Sequence, residues 1–338
     1  MANIKQVAAK AGVSPSCVSK YLKNADSVRP DTREKVEDAI RALNYVPSSI
    51  ARLLRMGKSM TVKVIMPSVT LPFFAGIFEY LRLTLLTAGY NLILQTISPG
   101  DTFHEQDFIF VDGAIVAFPN DDSVIGSLSG LLKQLNKPLV TIHGYSSLDV
   151  PGLISVDIAE GMSQASRYMQ EHGRKNIAYV DGTPESTIVG ERFRGFSSVV
   201  PPECRFGVFN GDFSMQWGYT AAHQMLDSNR IPDGILCGND GIAAGIIKYM
   251  LIHGVSVPGD VWVFGFDNIP LSEMYTPSIS SVSIPSQKMC EVAVQSLIAA
   301  MNDGELSSHR FNAELVLRDS TSELTDNAAG MRLFTTEH

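Results

Sequence analysis

Apolar positions along this 338-residue chain follow two different rhythms, and the change falls near residue 60. Before it, the spacing is helical. Ile4, Val7, Ala8 and Ala11 share one helical face, and Gly12 follows where the backbone must turn sharply. Ser14 reads as an N-cap with Pro15 at the first helical position. The run Pro15–Leu22 then turns Val18 and Leu22 inward and leaves Ser16, Ser19 and Lys20 outward. A third helix, from about Asp31 to Leu43, buries Val36, Ile40 and Leu43. Three short helices with a tight turn between the first two predict a helix-turn-helix.

Pro47 closes that unit, and Ser48–Arg55 forms one more short helix with Gly57 just beyond it. Too short to be stable alone in water, it is read as a hinge that orders on binding. From Thr61 onward the texture alternates. Apolar runs stand at Val62–Met66, Asn91–Thr96, Ala114–Phe118, Leu139–Ile142, Ile154–Val156, Ile177–Val180, Ile235–Cys237 and Val261–Phe266. Most are separated by helix-sized segments such as Ala75–Ala88, Ile125–Leu135, Met162–Gln170 and Ile242–Ile252. This is the pattern of parallel sheets with crossover helices on both faces. About 260 residues exceed what one sheet usually takes, so two similar α/β lobes are expected, with a ligand cleft beyond the carboxyl ends of the strands.

Charge sharpens the division. The net charge of -8 conceals eleven Lys/Arg against five Asp/Glu in residues 1–60, and sixteen against thirty in the rest. A basic head on an acidic body points to a polyanionic partner at one end only. Hydrophobic content of 45% with 18% charged residues describes a globular chain. The N-terminus lacks an apolar export segment and no stretch of 18 apolar residues occurs, so a cytoplasmic protein outside the membrane is expected. Cys17, Cys204, Cys237 and Cys290 form no Cys-x-x-Cys pair and are read as reduced thiols.

Four groups of motifs resemble the LacI/GalR family over nearly the whole chain. They are Ile4-Lys5-Gln6-Val7-Ala8 with Ala11-Gly12-Val13-Ser14 and Val18-Ser19; Thr32-Arg33-Glu34-Lys35-Val36 with Leu43-Asn44-Tyr45-Val46-Pro47; Glu191–Phe196 with Gly238-Asn239-Asp240; and Val257–Asn268. The resemblance implies an all-α helix-turn-helix head and a two-lobed, periplasmic-binding-protein-like α/β effector domain with doubly wound parallel sheets. It implies a head at 1–46, a hinge at 47–58 and an effector domain at 59–320. The N-lobe would take about 61–156 and 285–312, the C-lobe about 157–284 and 313–320, and 321–338 a tail. Ser320–His338 lacks leucine heptads, so a tetramerising coiled coil is not expected.

By resemblance, Pro15, Ser16 and Lys20 face base edges, with Ser16 and Lys20 carrying more of the discrimination because Pro15 has no donor. Ser14, Ser19, Asn24 and Thr32 position phosphates. Tyr45, Ser48 and Ala51 join the interface near the hinge, where Leu54 is an apolar wedge for the minor groove. A homodimer on a near-palindromic DNA operator follows. In the cleft the resemblance points to Phe73, Phe74, His143, Arg192, Phe213, Asn239 and Asp267. Aromatic faces suit the C–H side of a sugar, and Arg, Asn and Asp divide its hydroxyls between them. No cofactor or metal is expected.

Departures from the family pattern carry their own expectations. His143 stands where an acidic residue is usual, which favours an acidic or phosphorylated ligand unless the histidine is neutral and structural. The stretch from Thr96 to Phe110 is shorter than the family's second helix, and Val199–Phe209 is trimmed. Arg29 replaces a capping Ser, while Ile284 and Cys290 replace a polar residue and a glycine. Two other classes compete. A solute-binding protein shares the body but needs export. An enzyme needs a reacting arrangement, and no Gly-x-Gly-x-x-Gly, P-loop or Gly-x-Ser-x-Gly occurs, nor a second histidine after His104-Glu105.

Overall fold

A computed structural model describes residues 2–45, 58–98, 100–144, 149–227 and 230–322. The chain forms two compact units, Met1–Met60 and Thr61–His338.

The first unit is built from α1 (Ile4–Ala11), α2 (Pro15–Lys23) and α3 (Pro30–Ala42). The start of α1 is a capping box. Asn3 Oδ1 accepts from the Gln6 N–H at 3.0 Å, and Gln6 Oε1 accepts from the Asn3 N–H at 2.9 Å. Gly12, at φ +68°, stops the helix in the left-handed region. Ser14 caps α2 by accepting from the Cys17 N–H, with Pro15 at the first position. Arg29 makes no side-chain cap on α3. Val7, Ala8, Ala11, Val18, Val36 and Ala39 fill the core, with Leu22, Ile40 and Leu43 packed against them. The expected inward positions Ile40 and Leu43 thus flank the core, and Ala39 sits inside it.

The second unit holds two six-stranded sheets. The first runs β11-β5-β4-β3-β1-β2, from β1 (Thr61–Met66), β2 (Asn91–Thr96), β3 (Gly113–Ala117), β4 (Leu139–His143), β5 (Leu153–Val156) and β11 (His309–Phe311). The second runs β12-β10-β9-β8-β6-β7, from β6 (Ile177–Asp181), β7 (Arg205–Asn210), β8 (Gly234–Cys237), β9 (Trp262–Asp267), β10 (Ser280–Ser283) and β12 (Glu314–Val316). All pairs are parallel except β10 with β12. Central strands such as β3, β4 and β6 are buried at every position, which is why they read as unbroken apolar runs. The edge strands β2 and β7 are partly exposed.

Crossovers are α4 (Pro72–Thr87), α5 (Ser123–Gln134), α6 (Ile158–Glu171), α7 (Thr187–Val199), α8 (Met215–Asp227) and α9 (Asp240–Ile252). The short α10 (Pro270–Met274) follows β9, and α11 (Ser286–Met301) returns to pack on α4, β3, β4 and β5. The chain therefore passes between the lobes three times, after β5, after β10 and between β11 and β12. Between β2 and β3 the described residues hold no α-helix, only a 3-10 turn at Glu105–Phe108. Phe108 is buried there, Lys63 Nζ donates to the Asp107 carbonyl at 2.9 Å, and Lys137 Nζ donates to that of Val111 at 2.7 Å. Two lysines thus satisfy carbonyls that a full helix would have satisfied internally.

Candidate nucleic-acid interface and ligand cleft

On the three-helix unit, Ser14, Pro15, Ser16 and Lys20 are exposed along the start of α2 and Ser19 is half-buried. Ser14 has two local duties: its hydroxyl receives the Cys17 N–H and lies 2.8 Å from that of Ser16. Asn24 is exposed and accepts from the Asp26 N–H at 3.0 Å, capping a short 3-10 turn, while Thr32 is half-buried in the first turn of α3. On α3, Arg33 pairs with Asp26 and Glu37, and Arg41 with Asp38. Tyr45 differs from its expected place. It is 8% exposed and belongs to the core of this unit, so its ring packs the helices. Ser48, Ala51 and Leu54 lie outside the described residues.

In the second unit, carboxyl ends of strands from both lobes enclose a cavity of about 370 Å³, as expected for parallel α/β folds. Phe73, Phe74, Arg192, Phe213, Asn239 and Asp267 all line it. His143 does not. It is fully buried within the first sheet, with Nε2 3.2 Å from Asp122 Oδ1. That placement removes the basis for reading it as a contact to an acidic ligand.

The structure adds residues that the motifs did not indicate. Phe118, at φ +47° just past β3, brings its ring to 5.1 Å from that of Phe73, edge to face. Asp267 ends β9 at φ +94°. Each lobe thus aims one non-glycine residue into the cleft from a left-handed backbone, the kind of strain that packing must hold in place. Behind the cleft stands Asp181, the fully buried last residue of β6. Its carboxylate takes Arg192 Nε at 3.0 Å and Nη2 at 3.2 Å, the Tyr179 hydroxyl at 2.6 Å and the Gly182 N–H at 2.7 Å. Burial works against the Arg192 charge, but Asp181, Tyr179 and Asp267 together outweigh it and hold the guanidinium pKa above its ordinary value. Arg192 also lies 5.8 Å from the Phe213 ring and 5.3 Å from that of Phe266.

Asn239 is committed too. Its Oδ1 caps α9 at the Ile242 N–H, 2.7 Å away, and its Nδ2 donates to the Phe213 carbonyl at 2.9 Å. Burial pushes the Asp267 carboxyl up to about 7, with Arg192 pulling it down and Asp181 pushing it further up. Asp240, fully buried, reaches about 8 from burial and from the charge of Asp267, although it accepts from Ser281 and the Ile269 N–H. The lobes also meet directly. The Thr187 N–H donates to the Asn120 carbonyl at 3.3 Å and its hydroxyl to Asp122 at 3.3 Å. A strand-terminal Asp before a Gly was the one sequence signal for Asp181. Phe118 offered none beyond being the last residue of an apolar run.

Among the described residues, no cluster of metal-ligating side chains occurs and no helix is long and apolar enough to cross a membrane. All four cysteines are free thiols.

Known proteins match both units. Residues 3–48 fit the profile of bacterial regulatory proteins, lacI family, and residues 166–321 that of a periplasmic binding protein-like domain. The HTH-type transcriptional repressor PurR of Erwinia tasmaniensis is 32% identical over 311 residues, covering 88% of this chain and 90% of PurR. The repressor CytR of Escherichia coli is 29% identical, covering 96% and 97%. Among solved structures, the Lac repressor dimer bound to operator and the anti-inducer ONPF has a TM-score of 0.82 at 23% identity, covering 95% of this chain and 99% of that one. The regulator CelR in complex with cellobiose has a TM-score of 0.66 at 25% identity, covering 95% and 100%.

Proposed function

Because the chain belongs to the lacI family of bacterial regulatory proteins, we propose that it represses transcription as a cytoplasmic homodimer on a near-palindromic operator, under control of a polyhydroxylated effector held between its lobes. The protein is a DNA-binding transcription repressor with a metabolite-sensing domain, not an enzyme. The observation that carries the effector reading is the cleft itself. Four phenylalanine rings and a few fixed polar groups line it, the composition that suits a sugar with apolar faces and hydroxyl edges. CelR, a structural neighbour, is a complex with cellobiose, which supports a carbohydrate.

At the other unit, Ser16 and Lys20 are the groups assigned to base edges, with Ser14, Ser19, Asn24 and Thr32 at phosphates and Ser48, Ala51 and Leu54 at the hinge. Two copies are needed, since one small reader makes few contacts. Exposed Leu83 and Leu86 on α4, and exposed Ile93 on β2, the strand that α4 contacts, are apolar surface of the kind a second copy covers. Effector binding shifts the balance between lobe arrangements, and with it operator affinity. Gel-shift titration of the full-length protein on upstream fragments tests this. We expect preference for a near-palindromic site, a dimeric complex and a shift of affinity with a sugar; equal binding to all fragments would refute it.

A further inference from the structure

Building on the reading of the cleft as an effector site, we propose that the effector is uncharged, and that Asp181 is the residue that excludes sugar acids and sugar phosphates. Among the described residues lining the cleft, only Arg192 and Asp267 carry ionisable side chains. Arg192 is the group an anion would need, and it already faces a carboxylate with two of its nitrogens. One guanidinium thus stands against two carboxyl groups. An entering carboxylate or phosphate would shed its hydration beside a cation that is already compensated and next to a second acid. That is a desolvation cost without a matching gain.

Asp181 cannot move aside to free Arg192. It is fully buried, held by Tyr179 and the Gly182 N–H as well as by Arg192. Gly238 closes against it so tightly that a Cβ there would fall 1.8 Å from Oδ1. The start of α9 offers an anion little either, since Asn239 occupies the Ile242 N–H and Asp240 adds a carboxyl to the first turn. A neutral hydroxyl meets none of these obstacles. It can accept from Nη1 of Arg192, the nitrogen that does not bond Asp181. It can also accept from Asp267 when that acid is protonated, or donate to it when ionised.

The test titrates matched pairs into the full-length protein at pH 8, by calorimetry and thermal shift. The probes are ribose and ribose 5-phosphate, galactose and galacturonate, and glucose and glucose 6-phosphate, with inorganic phosphate as the bare anion. Expected is at least tenfold tighter binding of the neutral member of any pair that binds, and no saturable phosphate binding. Asp181→Asn should narrow the difference and gain phosphate binding that a further Arg192→Gln removes. An acid that binds as tightly as its neutral partner would overturn the proposal. So would phosphate binding to the wild type that Arg192→Gln abolishes. If no sugar binds at all, the carbohydrate reading of the cleft falls, while the phosphate titration still decides whether the site excludes anions. Should Asp181→Asn fail to fold, the wild-type titrations decide alone.

Discussion

Arg192 shows how one side chain serves two purposes, and why its substitution must be chosen with care. Truncating it would leave the buried Asp181 carboxylate without its cation, a change worth about 3–5 kcal/mol of stability when a buried pair is broken. Arg192→Lys keeps the charge but loses the planar fork. Effector affinity should fall by about tenfold or more, the cost of one charge-assisted hydrogen bond, with operator binding retained. Calorimetry with a binding sugar and a gel shift check both halves, and unchanged effector affinity would remove Arg192 from the site. Gly238→Ala tests the same pair from behind. Its Cβ would press on Asp181 Oδ1, so effector response should drop and the melting temperature of the second unit should fall. In the head, Lys20→Ala should cost about 1–3 kcal/mol on the preferred operator if Lys20 reads a base edge. Equal weakening on all sequences would make it a phosphate contact.

At the scale of elements, the caps explain which helices are self-sufficient. The reciprocal bonds between Asn3 and Gln6 satisfy two N–H groups at the start of α1, whereas Arg29, at the N-cap of α3, makes no such bond. Arg29→Ser should therefore raise the stability of the head by about 0.5–1 kcal/mol, read as a higher melting temperature of the three-helix unit. A decrease would show that Arg29 has a role its missing cap does not reveal. The crossover between β2 and β3 shows another solution, in which Lys63 and Lys137 stand in for a helix. The shortness of Thr96–Phe110 was legible in the sequence as a departure. The lysines that compensate were not, because their partners lie 44 and 26 residues away.

Over the whole molecule, buried acids set a pH dependence. Asp240 binds its proton more tightly in the fold than its ordinary value of 3.8 implies, up to about 8. Its contribution to stability is complete below about pH 4 and is lost as pH rises through about 8. Asp267 acts in the same sense up to about 7, and Ser281 and Arg318 oppose the rise at Asp240. Thermal melts should therefore fall from pH 5 to 8.5, and Asp240→Asn should flatten that slope. An unchanged slope in the variant would assign the effect elsewhere. The same cluster ties β8, β9 and β10 together at the strand ends, where Asp240 receives Ser281 and the Ile269 N–H. Stability and the shape of the cleft are linked through it.

The sequence by itself determined the partition into a basic three-helix unit and an alternating α/β body, because hydrophobic period, turn residues and charge are local properties. Resemblance to a family added the cleft residues: Arg192, Asn239 and Asp267 sit inside motifs that carry it, whereas Phe73, Phe74 and Phe213 lie outside those motifs. The sequence missed the strands β7, β10, β11 and β12, which are short or carry polar residues and earn their place by pairing with distant partners. Tertiary structure alone decided that Tyr45 packs inward, that His143 is sealed inside a sheet, that Phe118 lines the cleft and that Asp181 backs Arg192 behind it. Those outcomes depend on which segments, far apart in the chain, are brought within a few ångströms, and no local pattern encodes that distance.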